Sequence, residues 1–311
     1  MPGSHGHAHG LEKREARLSP HARDRTFAIA TALNAAIVAL ELVYGYLANS
    51  MALVADAAHN ASDIAALLLA WGAFRLATRR PTRERTYGFG SATMLAALAN
   101  AALLLAALGA IAIEAVRRLW DAPAVASETV VWVAAAAIVI NGFTALLFWR
   151  GRDSDLNIRG AFLHMATDAG VSLGVVAAAL LIGWSGWVWI DPVVSLLIVA
   201  IIFRGTWALL RESADLAMHA VPPNVDRQAV ERYLADLPGV TAVHDLHIWA
   251  LSTTENALTA HLVRPDAGLD DRLLAEAAAE LRLRYGVGHT TLQVEAGDAP
   301  CDCTLKGERR V

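Results

Sequence analysis

The chain has 311 residues, 56% of them hydrophobic and only 18% charged, with a mean hydropathy of +0.41, which is oily for a soluble protein of this length. Its formal net charge of −4 at pH 7 excludes a globally basic nucleic-acid binder. Two cysteines, Cys301 and Cys303, cannot build a disulfide framework, and the single residue between them would strain a bridge, so a reduced, cytosolic tail is expected.

Residues 1–25 lack the apolar core of a cleavable signal peptide and carry His5, His7, His9 and His21 among basic residues. The His-Gly-His-Ala-His run is interleaved rather than unbroken, so it is read as a native, histidine-containing tail. From there to residue 211 the apolar residues are concentrated into six segments long enough to cross a bilayer, about 20 residues each: roughly 26–48, 51–75, 88–116, 128–149, 160–183 and 190–210. Asp191-Pro192 opens the last span with residues suited to the N-cap and first helical position, and Trp184, Trp187 and Trp189 before it resemble an aromatic interface belt.

Arginine placement predicts the orientation. Arg75, Arg79, Arg80, Arg83 and Arg85 follow span two, and Arg150, Arg152 and Arg159 separate spans four and five, whereas the opposite side has only Arg117 and Arg118. Lys13, Arg14, Arg17, Arg23 and Arg25 precede span one, and Arg204 and Arg211 close span six. Both termini are therefore expected in the cytoplasm, as the even span count also requires. The arginines around Thr82–Tyr87 suit anionic headgroups, and no metal is expected at that loop.

Span two contains His59 and Asp63, and span five contains His164 and Asp168. Each His precedes its Asp by four residues, so each pair shares one helix face. An ionised Asp near the bilayer centre costs roughly 2.5–3.5 kcal/mol on the insertion scale, and no Lys or Arg lies at matching depth. A divalent cation would supply the missing charge. Spans two and five run in opposite directions, so facing helices bring each His level with the other helix's Asp. Two nitrogen and two oxygen donors suit tetrahedral Zn²⁺, and imidazole favours Zn, Co, Ni or Cu over Mg, Ca or Mn. Metal ligation expels protons, and imidazole titrates near neutrality, so exchange of metal for protons through one site is expected. Asp56 on the same face is read as a brace at the start of span two. Glu41, Asn34, Asn141 and Ser172 are read as helix–helix hydrogen-bonding groups.

Residues 212–296 have ordinary soluble composition and read as helix (224–237), strand (240–251), strand (258–263), helix (270–285) and strand (290–295), an α+β domain with both helices on one face of a small sheet. His244 and His247 are an odd number of residues apart, so a regular strand points them to opposite faces, and a shared site would need a bulge. His289, Thr291, Gln293 and Glu295 share one face of the last strand. Residues 297–311 form a tail with the Cys-x-Cys pair.

Several of these runs together resemble the cation diffusion facilitator family, in particular its zinc-transporting branch. They are Glu41 with Gly45, Asn49-Ser50, the run Ala55 to Asp63, His164 to Asp168, Asp191-Pro192, and His244 to Trp249; the resemblance covers about Phe27 to Cys303. It implies a six-span bundle followed by a ferredoxin-like, metallochaperone-like cytoplasmic domain. It also implies a homodimer, alternating access, and zinc export against protons through His59, Asp63, His164 and Asp168. His at the first of these positions goes with zinc selectivity in the family, and this chain lacks the Asp pairs of the manganese branch. The resemblance further implies regulatory zinc at His244, His261 and Glu295, with His289 a further candidate, although Gln293 stands where one family pattern has His and speaks against a binuclear site. A third site, joining His5, His7 or His9 to Cys301 and Cys303 of a neighbouring subunit, is implied by some members.

The expected protein is thus an integral membrane transporter with Zn²⁺ as substrate and regulatory ligand and no nucleic-acid partner. Its Ala- and Arg-rich usage points to a bacterial inner membrane. A membrane metalloenzyme would need a run such as His-Glu-x-x-His, which is absent from the sequence. An exporter of Co²⁺, Cd²⁺ or Ni²⁺ fits the same donors, and a membrane metal sensor or scaffold would use only the tail.

Overall fold

The computed structural model describes residues 20–149, 156–265 and 270–297. Six helices, α1 (Pro20–Leu47), α2 (Met51–Ala77), α3 (Ala92–Arg118), α4 (Ser127–Trp149), α5 (Leu156–Ser185) and α6 (Ile190–Ala217), come first. Each contains a stretch long and apolar enough to cross a membrane. Helix α1 begins at Pro20, so part of the segment assigned to the tail by composition is helical. Helix α3 begins at Ala92 rather than 88. Gly88, at φ 77°, donates its N–H to the Arg85 carbonyl at 2.9 Å, a turn that occupies the residues before the helix.

Among the described residues, those up to 65 and from 102 to 207 form one compact unit, and those from 66 to 101 and from 208 onward form a second. The first unit is cored by Met51, Leu53 and Ala55 of α2, Leu104, Leu108 and Ile111 of α3, Val130 and Ala134 of α4, Val175 and Ala179 of α5, and Ile198, Val199 and Ile202 of α6. Alanine at the tightest of these positions lets helix backbones approach closely, the usual packing solution in an apolar solvent. Three residues join α1 to α2, with Asn49 in the left-handed region at φ 55°. This turn is tied to its surroundings by Ala126 N–H donating to the Ala48 carbonyl at 3.0 Å and by Arg118 donating to the Asn49 carbonyl at 2.8 Å.

Asp191 departs from its expected place as the cap of its own helix. Helix α6 starts one residue earlier, at Ile190, and the carboxylate crosses to α2, where it accepts from Ser50 Oγ at 2.5 Å and from the Met51 N–H at 2.7 Å.

The second unit contains the C-terminal α+β elements, α7 (Arg227–Ala235), β1 (Ala242–Ala250), β2 (Asn256–Val263), α8 (Asp271–Tyr285) and β3 (His289–Glu295). Strand order is β1-β2-β3, with β1 and β2 antiparallel and β2 and β3 parallel. Asp226 and Asp270 cap the two helices by accepting from Ala229 and Leu273 N–H, and Gly286 ends α8 at φ 69°, the left-handed conformation that favours glycine. Leu234 and Leu281 from the helices and Ile248, Leu258 and Leu262 from the strands form the buried core, which leaves the other sheet face for polar side chains.

Two helical glycines give opposite expectations. A Cβ on Gly45 would lie 2.9 Å from Val54 Cγ2 and 3.2 Å from the Val54 backbone nitrogen, whereas one on Gly72 meets nothing within 4 Å. Gly45→Ala is expected to destabilise by about 1–3 kcal/mol through overpacking, and Gly72→Ala to stabilise by roughly 0.5–1 kcal/mol. Thermal unfolding of the detergent-solubilised protein checks both signs.

Candidate metal centre

Helices α2 and α5 place His59, Asp63, His164 and Asp168 around one point in the first unit. His59 Nε2 lies 3.8 Å from Asp63 Oδ2 and 3.9 Å from Asp168 Oδ1. His164 Nε2 lies 3.3 Å from Asp63 Oδ2 and 3.6 Å from Asp168 Oδ2. These separations form a closed ring in which nitrogen and oxygen donors alternate. Two of its sides are the i,i+4 pairs of single helices, and the other two cross between helices, which requires the antiparallel, level-matched arrangement of α2 and α5.

Two nitrogen and two oxygen donors suit a tetrahedral ion. With metal–ligand bonds of about 2.0–2.1 Å, ligand atoms of a tetrahedron lie about 3.3 Å apart. The four sides of the ring, at 3.3–3.9 Å, are near that length. The ring is flat, however, with its donor atoms not all within 4.8 Å of one another, so a bound ion would have to draw the two diagonals in. Asp168 is 1% exposed, and neither of its oxygens, nor Asp63 Oδ2, makes a well-formed hydrogen bond. The ionisable groups paired with them are the two imidazoles. Buried acceptors without donors are expensive in an apolar bundle, and a bound cation would satisfy them.

The adjoining polar groups hold the two helices rather than extend the ring. Ser172, one turn beyond Asp168, donates to Asp56 Oδ2 at 2.9 Å and ties α5 to α2. Asn60 donates to Glu41 Oε2 at 3.5 Å, a weaker link from α2 to α1. Glu41 and Ser172 therefore make the interhelical bonds expected of them. Asn34 Oδ1 and both side-chain atoms of Asn141 do not, since they have no hydrogen-bond partner.

A second cluster lies on the open face of the C-terminal sheet. The β1–β2 register shifts between His244 and His247, with Asp245 in the left-handed region at φ 53°. His244 pairs with His261, and His247 with Thr259. Since His261 and Thr259 are two residues apart, both β1 histidines face the same side. His244 Nε2 is 3.1 Å from Glu295 Oε2, and His261 Nδ1 is 2.7 Å from Glu295 Oε1. Donor atoms of these three residues all lie within 4.8 Å of one another. Burial pushes the Glu295 carboxyl up, but hydrogen bonds and charge from His244 and His261 outweigh it and hold the group below the usual glutamate value.

His289 is the correction here. It begins β3, six residues before Glu295, about 20 Å along an extended strand, and its ring stands edge-on to Tyr87 with centroids 5.6 Å apart. It shares a strand face with Glu295 but not a place. The residue missed from sequence is Asp245, which links His247 Nε2 at 3.0 Å to His261 Nε2 at 3.6 Å. Its signal was its position between the histidines, because Asp tolerates the left-handed backbone that a bulge demands. Gln293 donates to Glu295 Oε1 at 2.9 Å and so supports the carboxylate. His5, His7, His9, Cys301 and Cys303 lie outside the described residues.

Comparison with known proteins finds matches to both domains. Residues 27–216 match the cation efflux transmembrane domain, and residues 222–297 match the cation efflux protein cytoplasmic domain. The chain is 35% identical over 303 residues to the metal cation efflux system protein CzcD of Cupriavidus metallidurans, covering 97% of this chain and 92% of that one. It is 33% identical over 261 residues to the cadmium, cobalt and zinc/H(+)-K(+) antiporter of Bacillus subtilis, with 82% and 84% covered. To the zinc transporter ZitB of Escherichia coli it is 32% identical over 307 residues, with 97% and 96% covered.

Proposed function

This chain belongs to the cation diffusion facilitator, or cation efflux, family, and from that premise we propose that it exports a divalent transition metal, zinc foremost, in exchange for protons. The observation that carries the reading is the closed His59–Asp63–His164–Asp168 ring at 3.3–3.9 Å, whose buried carboxylate oxygens lack hydrogen-bond donors. The metal is the substrate. It loads when the imidazoles are neutral and the carboxylates ionised, and its arrival releases protons to the side it came from. Departure of the metal on the other side leaves two carboxylates facing each other in an apolar bundle, and protons from that side neutralise them for the return. The two half-reactions are thereby coupled through one set of donors.

The donor set favours Zn²⁺ over hard cations, because two imidazoles replace oxygens. Cobalt, cadmium and nickel remain within the same donor chemistry, and the name of the Bacillus subtilis relative includes cadmium and cobalt. The arginine distribution supports an orientation with both termini in the cytoplasm, and the Ala- and Arg-rich usage supports a place in the inner membrane of a bacterium. The C-terminal domain then faces the cytoplasmic metal pool. His244, His261 and Glu295 form its regulatory zinc site, and the domain pairs two chains into a homodimer. On this reading the protein is a transporter and performs no covalent chemistry.

Reconstituted into vesicles with an imposed pH gradient, the wild type is expected to move zinc against the proton flux, and reversal of the gradient to reverse the movement. Asp168→Asn and His59→Ala should fall to the rate of protein-free vesicles; wild-type rates in either would refute the site. A sensor that does not transport would instead keep its metal response in Asp63→Asn and Asp168→Asn. His261→Ala should remove one tightly bound zinc per chain in equilibrium dialysis while leaving the intramembrane site occupied, and an unchanged stoichiometry would refute the regulatory site.

A further inference from the structure

The first turn of α2 is held in an unusual way. Four N–H groups at a helix start have no partner within the helix, and in an apolar environment each needs one. Ser50 uses the Gly45 carbonyl at 3.0 Å, and Leu53 uses Ser50 Oγ at 3.3 Å. The remaining two, Met51 and Ala52, donate to Asp191 Oδ2 and Oδ1 at 2.7 and 3.4 Å, and Ser50 Oγ–H donates to the same carboxylate at 2.5 Å. One turn further along α6, Ser195 Oγ donates to the Met51 carbonyl at 3.2 Å. Asp191 is 3% exposed and Ser50 is 1% exposed. Helix α6 thus grips both the donors and an acceptor of α2's first turn, and the positive end of the α2 dipole faces the buried carboxylate.

The grip sets the placement of the metal ligands. His59 is eight residues from Met51, about 12 Å along the helix, and most of the intervening residues are buried in the core. A helix so packed moves as a rod. A slip of one residue would shift it by about 1.5 Å and turn it by about 100°, which would take His59 and Asp63 out of level with Asp168 and His164.

We propose that Asp191 is a positioning residue for the metal ring, acting through the cap it places on α2 from the start of α6. It touches no metal. The inference rests on the reading of the four ring residues as the transport site. Asp191→Ala leaves the Met51 and Ala52 N–H groups and the Ser50 hydroxyl without their acceptor and releases the rod. Asp191→Asn retains one carbonyl oxygen for capping, and Ser50→Ala removes the hydroxyl link to Asp191 together with the acceptor of the Leu53 N–H.

The test compares these three variants as full-length protein in vesicles, with rates normalised to the folded, monodisperse fraction from gel filtration. Asp191→Ala is expected to raise the KM for zinc about tenfold, the equivalent of one lost charge-assisted hydrogen bond. Asp191→Asn should recover most of that loss, and Ser50→Ala should fall between the wild type and Asp191→Ala. A folded Asp191→Ala fraction with wild-type KM overturns the proposal, as does a lower yield with unchanged KM, which would mark the cap as merely structural. If Asp191→Ala yields no folded protein, the KM values of Asp191→Asn and Ser50→Ala decide in the same way. An inactive Asp168→Asn beside an unaltered KM in the Asp191 variants sinks only this inference. An active Asp168→Asn sinks the transport-site reading itself.

Discussion

Two carboxylates at one level of an apolar helix bundle, paired with two imidazoles, constrain everything around them. Asp63 and Asp168 stand on helices that run in opposite directions, and each lies near the histidine of the other helix as well as its own. Two bare carboxylates are costly in hydrocarbon, whereas two carboxylates with one divalent cation and neutral imidazoles carry no net charge. Without a cation the carboxylates must take up protons, and with one the imidazoles must give theirs up. Proposed metal–proton exchange therefore needs no separate proton site, because the same four donors require one or the other.

Such a ring is useful only if its helices keep their level, and the surrounding structure is concerned with this. Alanines at the tightest positions bring the backbones together, Ser172 fixes α5 to α2 through Asp56, and α6 grips the first turn of α2 through Asp191 and Ser195. These are directional hydrogen bonds in an environment that cannot replace them with water. Packing alone would resist separation of the helices but would allow them to slide and turn.

The C-terminal cluster solves a similar problem with different means. A regular strand would have divided His244 from His247. The irregularity at Asp245 turns both to the open face, and antiparallel pairing brings His244 beside His261. Parallel pairing of β2 with β3 then sets Glu295 at the end where those histidines lie and leaves His289 at the other. The two centres differ in kind: one lies between helices and has four donors, whereas the other lies on a sheet and has three. This difference suits the division proposed between transport and regulation.

Much of this was legible in the sequence because membrane helices obey simple rules. Length and hydropathy marked six spans, since a bilayer admits only helices with their backbone bonds satisfied internally. The four-residue spacing of His59 with Asp63 and of His164 with Asp168 determined that each pair shares a face. Alternating spans determined that the pairs run opposite ways. What lay beyond the sequence were contacts between distant segments. Asp191 reads as the cap of its own helix because capping rules are local, yet its carboxylate finds the more demanding N–H groups on α2, 140 residues away. Likewise, strand alternation could state that His244 and His247 conflict but not how the conflict is resolved. Only the paired register, with Asp245 in a left-handed conformation, decided that, because a bulge is defined by two strands together and not by one.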